Sequence, residues 1–163
     1  MPTRRWVFGA ALAACAMLGG ACDYRRPYKV ATAQPADETF KDFGNYEVHF
    51  NAVRTDTLTP EVARPYGIQR SANRVMLTVT VLHKEADRAP RKPVDADVKV
   101  DVYNLNGQLK NIELRRVSEG EAIYYIGEVA ISGPEILVFD LSVTPAGEAA
   151  PLTLKFKREF DTT

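Results

Sequence analysis

The residues able to do chemistry in this chain are few, and their types exclude more than they suggest. Imidazole occurs twice, at His49 and His83, with no His-x-His spacing and no helical histidine pair, so no metal centre is expected. Both thiols, Cys15 and Cys22, lie within the first 22 residues, which leaves no cysteine in the rest of the chain for disulfides, thiolate catalysis or metal ligation. Ser71, Ser118, Ser132 and Ser142 stand in neither a Gly-x-Ser-x-Gly nor a Ser-x-x-Lys setting. No catalytic residue is assigned and no cofactor is expected. The reading leans away from an enzyme and leaves the question open.

Polar and aromatic side chains that suit binding gather in one stretch. Glu61, Tyr66, Arg70 and Arg74 fall there, and His49 and Asn51 share the polar face of the preceding strand, where a shallow polar pocket is expected if the two strands pair. Loop ion pairs of Glu61 with Arg64 or Arg70, and a turn closed by Asn73, account for the same residues structurally. Tyr124 and Tyr125 are adjacent on a strand, so one ring belongs to the core and the other to the surface, where it is a candidate anchor for a partner.

Period-two alternation in short runs positions these residues. In Asn45 to Val53, Tyr46, Val48, Phe50 and Ala52 share one face, with Glu47, His49 and Asn51 on the other. Val75, Leu77, Val79 and Val81 repeat the pattern, as do Val98, Val100 and Val102. Asn106-Gly107 marks a hairpin turn at which both residues tolerate positive φ. Leu109 to Val117, Ala122 to Ile131, Ile136 to Thr144 and a run through Leu152, Leu154, Phe156 and Phe160 complete about seven strands. The expected fold is an all-β, immunoglobulin-like antiparallel β-sandwich, with a barrel as the alternative. One short helical turn near residues 59–64 interrupts it: Thr59 is an N-cap candidate, Pro60 suits the first helical position, and Pro65 and Gly67 stop the helix.

The N-terminus reads as an address. Arg4 and Arg5 precede an apolar stretch that is too short for a membrane span of about 20 residues, and Leu18-Gly19-Gly20-Ala21 leads into Cys22. This resembles a lipoprotein signal with Cys22 as the lipidated residue. Leu12-Ala13-Ala14-Cys15 is the competing box, better in sequence but close behind Arg5. Residues 1–21 are thus expected to be signal peptide, 22–39 a lipid-anchored flexible tether, and 40–163 the β-sandwich domain. A tether of that length reaches on the order of 20 to 25 Å. Asp23 after Cys22 resembles an inner-membrane retention signal, whereas Ala16 after Cys15 would favour the outer membrane.

Removing the leader takes away Arg4 and Arg5, so the basic count falls from 21 to 19 against 21 acidic residues. A net charge near −2 argues against a nucleic-acid partner.

Three strings also occur in order: Phe40-Lys41-Asp42-Phe43-Gly44-Asn45-Tyr46-Glu47-Val48-His49-Phe50-Asn51-Ala52, then Leu58-Thr59-Pro60-Glu61-Val62-Ala63 through Tyr66-Gly67-Ile68, and Ala122-Ile123-Tyr124-Tyr125-Ile126. With them the chain resembles an uncharacterised family of exported proteobacterial proteins known only as a domain of unknown function. The resemblance implies a Gram-negative envelope protein and carries no activity, substrate or cofactor. The expected role is a lipid-anchored, periplasm-facing, non-enzymatic module that binds an envelope protein or polymer. The alternative is an enzyme or small-molecule binder using a pocket near His49 and Glu61.

Overall fold

The computed structural model describes residues 38–85 and 90–161. Cys15, Cys22, the leader and nearly all of the tether lie outside them. Ten strand segments occur among the described residues: β1 (Phe40–Asp42), β2 (Tyr46–Arg54), β3 (Arg74–His83), β4 (Lys92–Pro93), β5 (Ala96–Asn104), β6 (Leu109–Lys110), β7 (Arg115–Glu119), β8 (Ala122–Ala130), β9 (Glu135–Pro145) and β10 (Leu152–Phe160). All their pairings are antiparallel.

One sheet runs β1-β2-β3-β8-β7, with β4 also on β3, and the other runs β10-β9-β5-β6. The order β2-β3-β8-β7 against β10-β9-β5 is the ABED and GFC arrangement of an immunoglobulin-like sandwich. Its core lies where the alternation places it. Val48, Phe50, Val75, Leu77, Val79 and Val81 from the first sheet meet Leu137, Phe139, Leu141, Leu154 and Phe156 from the second, each at most 2% exposed. Phe156 stacks on Phe50 across the sheets and on Phe139 beside it, with ring centroids 4.5 and 4.7 Å apart. With no cysteine in the domain, this apolar contact holds the sheets together.

Two local expectations need correction. The run Leu109 to Val117 is not one strand: β6 pairs with β5 and β7 pairs with β8, so residues 111–114 cross from one sheet to the other. The crossing lies against Gly127, where a Cβ would sit 2.8 Å from Leu114 Cδ2 and 2.9 Å from the Glu113 carbonyl oxygen. Only a glycine in β8 admits so close a passage. At the β5–β6 hairpin, Gly107 has φ +77° and Asn106 does not adopt positive φ. The loop is instead closed by Asn104, whose Oδ1 accepts from the backbone N–H groups of Asn106 and Gln108 at 3.1 and 3.0 Å.

The helical turn occurs as expected, as α1 (Pro60–Ala63) with Pro60 at its start. Thr59 makes no side-chain cap bond. The Glu61 carboxyl is held below its usual range first by its own backbone N–H and then by the Thr59 hydroxyl. The turn ends in a Schellman motif: Ile68 N–H donates to the Ala63 carbonyl and Gly67 N–H to the Arg64 carbonyl, both at 3.0 Å, with Gly67 at φ +62°.

Candidate functional site

The outer face of the larger sheet collects most of the side chains singled out above. Register sets His49 opposite Thr80, Asn51 opposite Thr78 and Val53 opposite Met76. On the other side of β3, Thr78 faces Ile126 and Met76 faces Glu128. Two shallow cavities follow from this register. One of about 230 Å³ is lined by Thr39, His49, Asn51, Thr78 and Thr80. The other, about 120 Å³, is lined by Val62, Tyr66, Met76, Thr78, Tyr124 and Ile126. Thr78 lines both, so the two cavities adjoin on the outer face as two halves of a groove across the strands.

Behind His49 at the first end lies Glu47. Although it points to the outer face, Glu47 is only 4% exposed. Its carboxylate lies 2.7 Å from Arg91 Nε and 3.1 Å from His49 Nε2. The Arg91 bond, with a smaller contribution from His49, outweighs burial and holds the Glu47 carboxyl below its ordinary value. Phe40, paired with His49 in the β1–β2 register, stacks on the imidazole with centroids 5.3 Å apart. The carboxylate beside His49 is thus Glu47 and not Glu61.

The second end is walled by the β2–β3 connection. Thr55 is fully buried, and its hydroxyl lies 2.9 Å from the Gln69 carbonyl and 3.1 Å from that of Ser71 while accepting from Ser71 N–H at 2.9 Å. Arg70 donates to the carbonyls of Leu58 and Asp56 at 2.6 and 2.9 Å. Tyr66 then hangs over β8 and β7: its hydroxyl donates to Glu119 at 2.7 Å and its carbonyl accepts from Arg115. Tyr124 is half-buried on the outer face, while Tyr125 is core and bonds the Ala96 N–H through its hydroxyl at 2.7 Å.

The candidates therefore divide. His49, Asn51, Tyr66 and Tyr124 line the groove or its walls. Arg70 braces the loop that carries Tyr66, Arg74 lies 3.7 Å from Glu128, and Glu61 stays on exposed α1. Sequence reading missed Arg91, Thr78 and the burial of Glu47. Parity along β2 did place Glu47 with His49, but nothing local signals that Arg91 returns across the sheet to cover it.

Among the described residues, no group of three His, Asp or Glu side chains is placed to hold a metal ion. Nor is any helix among them long and apolar enough to cross a membrane.

An immunoglobulin-like sandwich with an outer-face groove is the class these features define. The family profile described as "Domain of unknown function (DUF4426)" matches residues 40–162, and the chain belongs to that family. A DUF4426 family protein from Pseudomonas aeruginosa PAO1 is similar over 75% of this chain and 93% of its own, at 34% identity and a TM-score of 0.63. FetP of uropathogenic Escherichia coli strain F11, expressed recombinantly in the periplasm, shares the fold at 9% identity and a TM-score of 0.54, covering 78% of this chain and 95% of its own. No curated protein matches the sequence.

Proposed function

We propose that this protein is a lipid-anchored, periplasm-facing module of the Gram-negative envelope that binds another envelope component without transforming it. The groove across β2, β3 and β8 carries this reading: it is preformed and walled by an internally braced loop. The leader ending at Cys22 supports the location. The periplasmic expression of the structurally similar FetP fits the same compartment.

Mass spectrometry of the mature N-terminus tests the anchor, with acylated Cys22 expected. An unacylated N-terminus overturns the anchor, and acylation at Cys15 overturns its placement at Cys22. A photo-cross-linking residue at Tyr124 in intact cells tests the binding face. Capture of an envelope component from that position, and not from Lys157 on β10, is expected. Equal yields from both positions overturn the assignment.

A second reading, an enzyme or small-molecule binder, is favoured by one observation: His49 stands in the wall of the 230 Å³ cavity with the Glu47 carboxylate behind it. It requires that His49→Gln abolish ligand binding or turnover while Tyr124→Ala leaves them intact.

A further inference from the structure

We propose that the outer-face groove takes an uncharged polysaccharide, a chain of pyranose rings bearing hydroxyl or N-acetyl groups; this rests on the binding-module reading above. The lining chemistry selects it. One half of the groove presents short neutral hydrogen-bonding groups, Thr39, Asn51, Thr78 and Thr80, together with the imidazole of His49. The other half presents the rings of Tyr66 and Tyr124 with the apolar side chains of Val62 and Met76, above the buried Ile126. Sugar rings match both kinds of surface, since their axial C–H faces pack on aromatic and apolar groups while their equatorial hydroxyls need donors and acceptors at the rim.

Two charge pairs beside the groove are closed within the chain, Glu47 with Arg91 and Arg74 with Glu128, while Glu119 keeps its charge and accepts from the Tyr66 hydroxyl. The side chains lining the two cavities include no Asp, Glu, Lys or Arg, which disfavours phosphorylated, carboxylated or strongly basic partners. The groove also lies on the side-chain face of the sheet and not along an open edge, so an extended peptide would find no backbone ladder to join. At about 4.8 Å between strands, the distance from β2 to β8 is about 10 Å, roughly the span of a disaccharide. Phe40 extends this path beyond His49, with 47% of its surface exposed.

The test is titration of the full chain with tetra-N-acetylchitotetraose, followed by calorimetry and by backbone amide shifts. Oligogalacturonate serves as the charged comparator. Saturable binding of the neutral sugar, with shifts confined to β2, β3, β8 and the 60–70 segment, is the expected result. Tyr124→Ala and Asn51→Ala should each weaken it about tenfold with unchanged melting temperature, and Lys157→Ala should leave it unaltered. Preference for the acidic oligomer, shifts elsewhere, or insensitivity to both groove variants would overturn the proposal. Capture of a protein from Tyr124 in cells with no sugar binding in vitro would overturn the polysaccharide assignment and leave the binding-module reading standing. Failure of both experiments would remove both.

Discussion

Arg91 Nε lies 2.7 Å from the carboxylate of Glu47, across the outer face of a sheet in which Glu47 itself is almost wholly buried. Arg91 is half exposed, so the pair combines a desolvated anion with a partly hydrated cation. Its main effect is to allow a carboxylate to sit under β1 and beneath His49. Glu47 lies 3.1 Å from the imidazole of His49, which lines the groove's first half.

The pair makes acid stability a test of the site. The folded Glu47 carboxyl is depressed by Arg91, so its contribution is complete above the ordinary value of 4.5 and is lost as pH falls through the folded value. Asp42, held down by Lys84, and Asp95, held down by Arg116, act in the same direction. Glu47→Gln should lower stability at neutral pH by about 1 to 3 kcal/mol and flatten the decline below pH 4.5. Urea titrations of both proteins at pH 3, 5 and 7 measure the difference.

Thr55→Val removes the hydroxyl that ties the Gln69 and Ser71 backbones together. It leaves buried polar groups unmatched, so a loss of about 1 to 3 kcal/mol is expected. Hydrogen exchange should accelerate in residues 58–71 more than in β9, and uniform acceleration would show that Thr55 supports the whole fold and not this wall alone.

Gly127→Ala places a methyl group against the Leu114 side chain and the Glu113 carbonyl oxygen at under 3 Å. The backbone oxygen cannot rotate away, and the predicted cost is about 1 to 3 kcal/mol. Leu114→Ala on the same background should restore only part of it. Equilibrium denaturation of the single and double variants measures the coupling.

Asp101 stands directly opposite Asp140 in the β5–β9 register, while Lys155 from β10 pairs with Asp140 at 2.7 Å. Asp101→Lys converts a like-charge pair into an opposite one. A gain of about 0.2 to 1 kcal/mol is expected at low salt, shrinking as ionic strength rises, and thermal melts in both buffers measure it.

Much of this structure was legible residue by residue. Alternation assigned β2, β3, β5, β8, β9 and β10 and the buried faces of β2 and β3, it separated Tyr124 from Tyr125, and it put His49 and Asn51 on one surface. Thr59-Pro60 and Gly67 bracketed the helical turn, because Pro and Gly act through their own φ values. What escaped was relational. The split of residues 109–117 between two sheets, the return of Arg91 to Glu47, and the union of two cavities at Thr78 each depend on segments distant in the chain. A strand's period of two is a property of its own backbone and is written locally. Which strand lies beside it, and hence which side chains share a groove, is decided by packing two apolar faces into one core, and that choice exists only once the whole chain has closed.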